Sequence, residues 1–166
     1  MSLLATIRAS IEAVYRGSSL DSPQLNVPAA DPIVLTSGVG AGQADLLYEV
    51  AINIAASGSQ TYDLAGALAD AFGTTLTFVS IKAIEIEADA ANVNDIVMGN
   101  AASAQFVGPF GGATHTIAVK PGGRALLVAP NTGWAVTATT GDILKLANSG
   151  GTTAVTGKLR IIGTSG

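Results

Sequence analysis

Thr114-His-Thr-Ile-Ala-Val119, Lys120-Pro-Gly-Gly123, Arg124-Ala-Leu-Leu-Val-Ala129 and Pro130-Asn-Thr-Gly133 open a segment that repeats one device as far as Gly163. An apolar-alternating run is followed by a Pro, Gly or Asn turn, and then by another run. Trp134-Ala-Val-Thr-Ala138 leads into Thr140-Gly141, Asp142-Ile-Leu-Lys-Leu-Ala147 leads into Asn148-Ser-Gly-Gly151, and residues 153–162 close the series of five. β-Branched residues between turns at this spacing predict an antiparallel sandwich or barrel. None of these turns carries a recognisable catalytic group, so the segment speaks to architecture rather than to chemistry.

Working outward, residues 46–55 set Leu46, Tyr48, Val50, Ile52 and Ile54 against Leu47, Glu49, Ala51 and Asn53, the pattern of a strand with one apolar face. Residues 60–64 and 95–98 read as short strands, 65–73 as irregular, and 75–88 as one long strand. In that long strand Leu76 and Phe78 share a phase, Ile81 falls in the other, and Ile84 and Ile86 return to the first. A bulge or twist is therefore expected between Ser80 and Lys82. The total is about eight to ten strands, the size of a jelly roll.

The N-terminus predicts a different element. Ser2 can cap a helix running to Tyr15, with Leu3, Leu4, Ile7, Ile11, Val14 and Tyr15 on one face and Gly17 as the stop. Arg8, Glu12 and Arg16 recur four apart on the opposite side. This is either an ordinary amphipathic helix or a docking arm whose stripe, those same six residues, binds a partner. Pro23, Pro28 and Pro32 make the following stretch an extended linker. The expected organisation is a helix or arm over 1–17, a Pro/Gly-rich linker over 18–45 and a β-sandwich over 46–166. The fold class is thus all-β: a jelly-roll-like antiparallel sandwich with an N-terminal amphipathic helix and extended linker.

Composition narrows the function. Glycine numbers 20 of 166 residues, charged residues are 12% against a typical ~25%, and mean hydropathy is +0.46. A surface so poor in charge predicts self-association. The net charge of −4, with no basic cluster, argues against a nucleic-acid partner. The absence of Cys removes disulfides and thiolate chemistry. No apolar run is long enough for a membrane helix, so no membrane partner is expected.

The remaining candidates each have a plainer reading. His115 is the only histidine and cannot join a His cluster. Gly38-Val-Gly-Ala-Gly42 lacks the third fingerprint glycine, because Gln43 holds that position. Glu85 and Glu87 share one strand face and read as solvated, though such a pair could meet a calcium ion. Asp89, Asn92, Asn94 and Asp95 read as an Asx-rich turn. Trp134 reads as a core or lid residue, with sugar stacking as its functional alternative. No cofactor, no metal and no catalytic residue is expected, and the chain does not read as an enzyme.

Phe106-Val-Gly-Pro-Phe-Gly-Gly-Ala-Thr-His-Thr-Ile-Ala-Val-Lys-Pro-Gly-Gly123 resembles a group of small tailed-bacteriophage virion proteins, as do Thr140-Gly-Asp-Ile-Leu-Lys-Leu-Ala-Asn-Ser-Gly150 and the opening Met1-Ser-Leu-Leu-Ala-Thr-Ile-Arg-Ala-Ser10. The resemblance implies a jelly-roll subunit of the virion, most simply a capsid decoration or cement protein on the head exterior, assembled in the bacterial cytoplasm. It implies as partners the major capsid protein or neighbouring virion proteins and the chain itself, as a homotrimer or homodimer. The alternatives are a head–tail, tail-knob or fibre subunit, or a carbohydrate-binding jelly roll.

Overall fold

The structure is a computed structural model that describes residues 2–16, 24–66 and 68–166, giving the backbone alone for 14–16 and 24–27. The described residues contain strands and turns and no helix. In chain order the strands are β1 (Ala5–Ile7), β2 (Ala13–Arg16), β3 (Gln24–Val27), β4 (Ile33–Ser37), β5 (Gln43–Ala44), β6 (Leu46–Ile54), β7 (Ser59–Asp63) and β8 (Leu68–Ala69). They continue as β9 (Thr75–Leu76), β10 (Ser80–Ala88), β11 (Ile96–Gly99), β12 (Thr116–Val119), β13 (Arg124–Val128), β14 (Trp134–Ala135), β15 (Ile143–Asn148) and β16 (Val155–Thr164).

Two sheets make the body. One runs β13-β10-β16-β6, with β14 continuing along β10 beyond β13, and the other runs β12-β11-β15-β7. Every pairing in them is antiparallel. Period-two alternation supplies the core between them: Ile52, Ile54, Ile84, Ile86, Leu159 and Ile161 from one sheet, with Ile96, Met98, Leu144 and Leu146 from the other. The two orders mirror each other. β6 connects to β7, β10 to β11, β12 to β13 and β15 to β16, and each connected pair holds the same place in its own sheet. Four connections, 55–58, 89–95, 120–123 and 149–154, therefore gather at one end. Ser57 N donates to Gly150 O, and Gly122 N donates to Asp89 O. The longer segments 64–79, 100–115 and 129–142 gather at the other end, where Leu64 N donates to Asp142 O and Val136 N donates to Val79 O.

The expected bulge is present: the β10–β16 register shifts between Ile81 and Ala83. The extra residue, Lys82, resets the phase, so Ile81, Ile84 and Ile86 all reach the main core while Ala83 turns outward. Lys82 itself is buried, its ammonium donating to Asn131 O where β13 gives way to β14. Gly133, at φ +71°, forms that break; a Cβ there would lie 2.7 Å from Ile81 O. Two expectations are trimmed. The strand expected over 75–88 is divided into β9 and β10, and the run from Trp134 is a strand only through Ala135, beyond which Val136 N donates to Val79 O and Thr137 bridges Gly141.

The N-terminal helix is the principal correction. Residues 5–7 form β1, antiparallel to β4, and 13–16 form β2, antiparallel to β3. A short helix is marginal in water without packing. Strand pairing with β4 instead satisfies the backbone and lets Ala5 and Ile7 face one side, with Leu3 packed beside them. β1, β4 and β5 form a small third layer. It buries Ala5, Ile7, Leu35 and Ala44 over Ala83, Leu126, Val128 and Ile162 on the outer face of the β13-β10-β16-β6 sheet. The segment 18–45, expected as a linker, thus carries β3, β4 and β5, of which β4 and β5 are tied to the body.

Candidate partner-binding interface

The outer face of that sheet divides into two zones. The apolar zone is capped by the β1-β4-β5 layer. The polar zone has an ion network at its centre, built on the odd positions of β10 that point away from the core. Arg160 Nε donates to Glu49 at 2.6 Å and Arg160 Nη1 donates to Glu85 at 2.8 Å, while Arg124 reaches Glu85 at 3.2 Å and Glu87 at 3.1 Å. Hydrogen bonds from Arg124 hold the Glu87 carboxyl below its usual range. Bonds from Arg160 to Glu49 and then Glu85 hold the guanidinium still more firmly protonated. The expectation that Glu85 and Glu87 lie on an outer face is met, and their partners are arginines. Between the two zones lies a groove of about 290 Å³, floored by Ile7, Leu47, Leu126 and Ile162, with Arg8 and Arg160 at its margin.

The chain leaves the body at this groove. Residues 8–13 and 28–32 are exposed throughout, and β2 and β3 pair with each other without joining another sheet. The result is an arm: a two-stranded ribbon whose root is clamped by β1 and β4.

The six residues expected to bind a partner are separated by this arrangement. Ile7 is buried and Leu3 half-buried against the chain's own outer sheet face. Leu4 is 73% and Ile11 81% exposed, and both are free for a partner. Val14 and Tyr15 lie on β2, where only the backbone is described. Val34, exposed beside Thr6 on the outward face of the small layer, was not singled out from sequence. Its signal was present, since Val34 alternates with Ile33 and Leu35 in a run that can form a strand.

The other sequence candidates have structural partners. The His115 ring lies 2.8 Å from Phe110 O through Nδ1. Asn92 accepts from Thr156 N and donates to Thr156 O, Asn94 donates to Thr153 O, and Asp95 pairs with Lys120. Gln43 closes the Gly38–Gly42 loop by accepting from Gly40 N. Trp134 is half-buried beside the core, at the side of a shallow cleft with Gln105, Gly108, Thr137, Thr140 and Gly141. Among the described residues no group of three His, Cys, Asp or Glu side chains is placed to hold a metal ion. No family model, curated protein or solved structure matches this chain.

Proposed function

We propose that this chain is a structural virion protein of a tailed bacteriophage, a jelly-roll decoration subunit that grips the head shell through its N-terminal arm. The observation that carries the reading is the arm itself, rooted on the body by a buried seat, with residues 8–13 and 28–32 exposed where it leaves. A cement subunit needs a rigid body, a segment that reaches a neighbour, and no titrating chemistry. The orders β13-β10-β16-β6 and β12-β11-β15-β7, with mirrored connections, fit the two interleaved Greek keys of a jelly roll. The sequence resemblance to small phage virion proteins supports the same role, and the fold alone would not. The chain exposes 9068 Å², where a compact monomer of its 16.5 kDa exposes about 7,500 Å². The excess, about 1,500 Å² on one chain, is about twice the ~800 Å² that one partner contributes to a standard interface.

The test replaces residues 8–32 with a two-residue Asn-Gly turn, which can join β1 to β4 because Ile7 pairs with Ile33. The shortened protein is expected to fold, with Leu35 still buried, and to fail to enter particles in a co-assembly assay. Undiminished incorporation would refute the arm as the grip. Electron microscopy that finds the chain in the tail would turn the assignment to another virion position.

A further inference from the structure

We infer that the groove between the two zones of the outer face is a strand-docking site, in which an extended, acidic segment of a partner protein pairs with the open edge of β1. Strand alternation places that edge. Thr36 N donates to Gly42 O and Gly38 N to Ala44 O, so the even positions of this stretch turn their backbone groups toward β5. The odd positions Ile33 and Leu35 turn theirs toward β1, where they oppose Ile7 and Ala5. Leu3 N, which donates to Ser37 Oγ, is on the same inner side. The N–H and C=O of Thr6 therefore point away from β4, and among the described residues β1 pairs with no other strand.

The groove lies on that open side. Thr6, Ile7 and Arg8 line it, and among the described residues none from β4 or β5 does. Its floor runs from Leu126 on β13 to Leu47 on β6, across all four strands of the sheet beneath. Three strand spacings are about 14 Å, the length of about four residues of extended chain. An unpaired edge above a floor of that length is the geometry of strand addition, in which main-chain bonds hold the guest and alternate side chains select it.

The lining specifies the guest. Its inward side chains, in step with Ala5 and Ile7, would cover Leu126, Ile162 and Leu47, the last 44% exposed, and so are apolar. Its outward side chains, in step with Leu4, Thr6 and Arg8, meet one unanswered charge. Arg160 and Glu85 in the lining are paired with each other, whereas Arg8 makes no ion pair among the described residues. The face as a whole sets Arg8, Arg124, Lys158 and Arg160 against Glu49, Glu85 and Glu87, a positive balance on a chain of net charge −4. A carboxylate beside Arg8 is thus the complementary group. An apolar acid that is not a peptide would leave the Thr6 backbone unpaired, and a second copy offering its own β1 would bring another Arg8 and no carboxylate. The site belongs to the body and is read with peptides, so its failure and that of the capsid reading are separate results.

The experiment titrates the full chain, up to about 500 μM, into two fluorescent eight-residue peptides, one alternating valine with aspartate and the other valine with lysine, and reads anisotropy. The wild type is expected to bind the aspartate peptide about tenfold or more tightly than the lysine peptide. The net charge of the chain opposes that preference, so long-range attraction cannot produce it. Arg8→Glu should reverse the order of the two peptides. Thr6→Pro removes only an outward N–H and leaves the bonds of Ala5 and Ile7 to β4, so it should weaken the aspartate peptide about tenfold with the thermal midpoint kept. If that variant does not fold, the charge reversal decides alone. A wild type that binds neither peptide or both alike, an Arg8→Glu variant with unchanged preference, or a folded Thr6→Pro variant that binds like the wild type would each overturn the inference. Sedimentation showing a self-associated wild type and a monomeric Thr6→Pro variant would give the edge to a second copy and would overturn it as well.

Discussion

Leu35 tests whether the N-terminal layer is held by this chain's own body. It is fully buried in β4, where Ala5, Ile7, Ala44 and Ala83 surround it with Leu126, Val128 and Ile162 nearby. Leu35→Ala removes three carbons, about 2.4 kcal/mol of transfer free energy at ~0.8 kcal/mol per methylene, and leaves a cavity. The measured range for such changes is about 2–5 kcal/mol. The strands of this layer are three, five and two residues long, so it can settle onto the gap, and a value of about 3 kcal/mol is expected. For 166 residues the unfolding entropy is about 0.35 kcal/mol/K, so the midpoint should fall by about 9 °C. The assay is calorimetric or circular-dichroism melting beside Val34→Ala. Val34 is the outward neighbour at 51% exposure and should change stability by less than about 0.5 kcal/mol. If Leu35→Ala shifts the midpoint no more than Val34→Ala does, the layer is not part of the cooperative body, and the seat proposed for the arm is wrong.

Asn148 is buried and donates to Ile54 O, Ala55 O and Thr153 O, while its own oxygen accepts from Gly150 N. Asn148→Asp points a carboxylate at three carbonyls and should cost about 3 kcal/mol or more in urea unfolding; a loss below about 1 kcal/mol would contradict it. Tyr62, buried edge-on against Tyr48 at 6.3 Å, has its phenol pushed up from 10.0 to about 12 by burial and then by Tyr48. A raised folded value means this contribution is whole below pH 10 and is lost as pH rises toward 12, because the unfolded chain ionises first. Denaturation midpoints from pH 9 to 12 should fall, and Tyr62→Phe should flatten that fall; an unchanged slope would exclude Tyr62 as its source.

The body of this protein was legible in the sequence because its strands are long enough for one period to win. Leu46–Ile54 alternates over nine residues, and only a strand puts Tyr48, Ile52 and Ile54 on one buried face. The phase change between Ile81 and Ile84 required an extra residue, and Lys82 is where the register slips. The N-terminus offered no such discrimination. Leu3, Ile7, Ile11 and Tyr15 recur every four residues, and four is close to one helical turn and also an even number, so the same side chains line a helix face and a strand face. What decided between them is an apolar patch assembled from three distant strands: Ala83 on β10, Leu126 and Val128 on β13, and Ile162 on β16. The partners of Glu85 and Glu87 were likewise out of reach, because the outward phase is local while Arg124 and Arg160 arrive through sheet pairing. Local periodicity determines which residues point inward; which outward faces meet is settled by pairings between strands far apart in the chain.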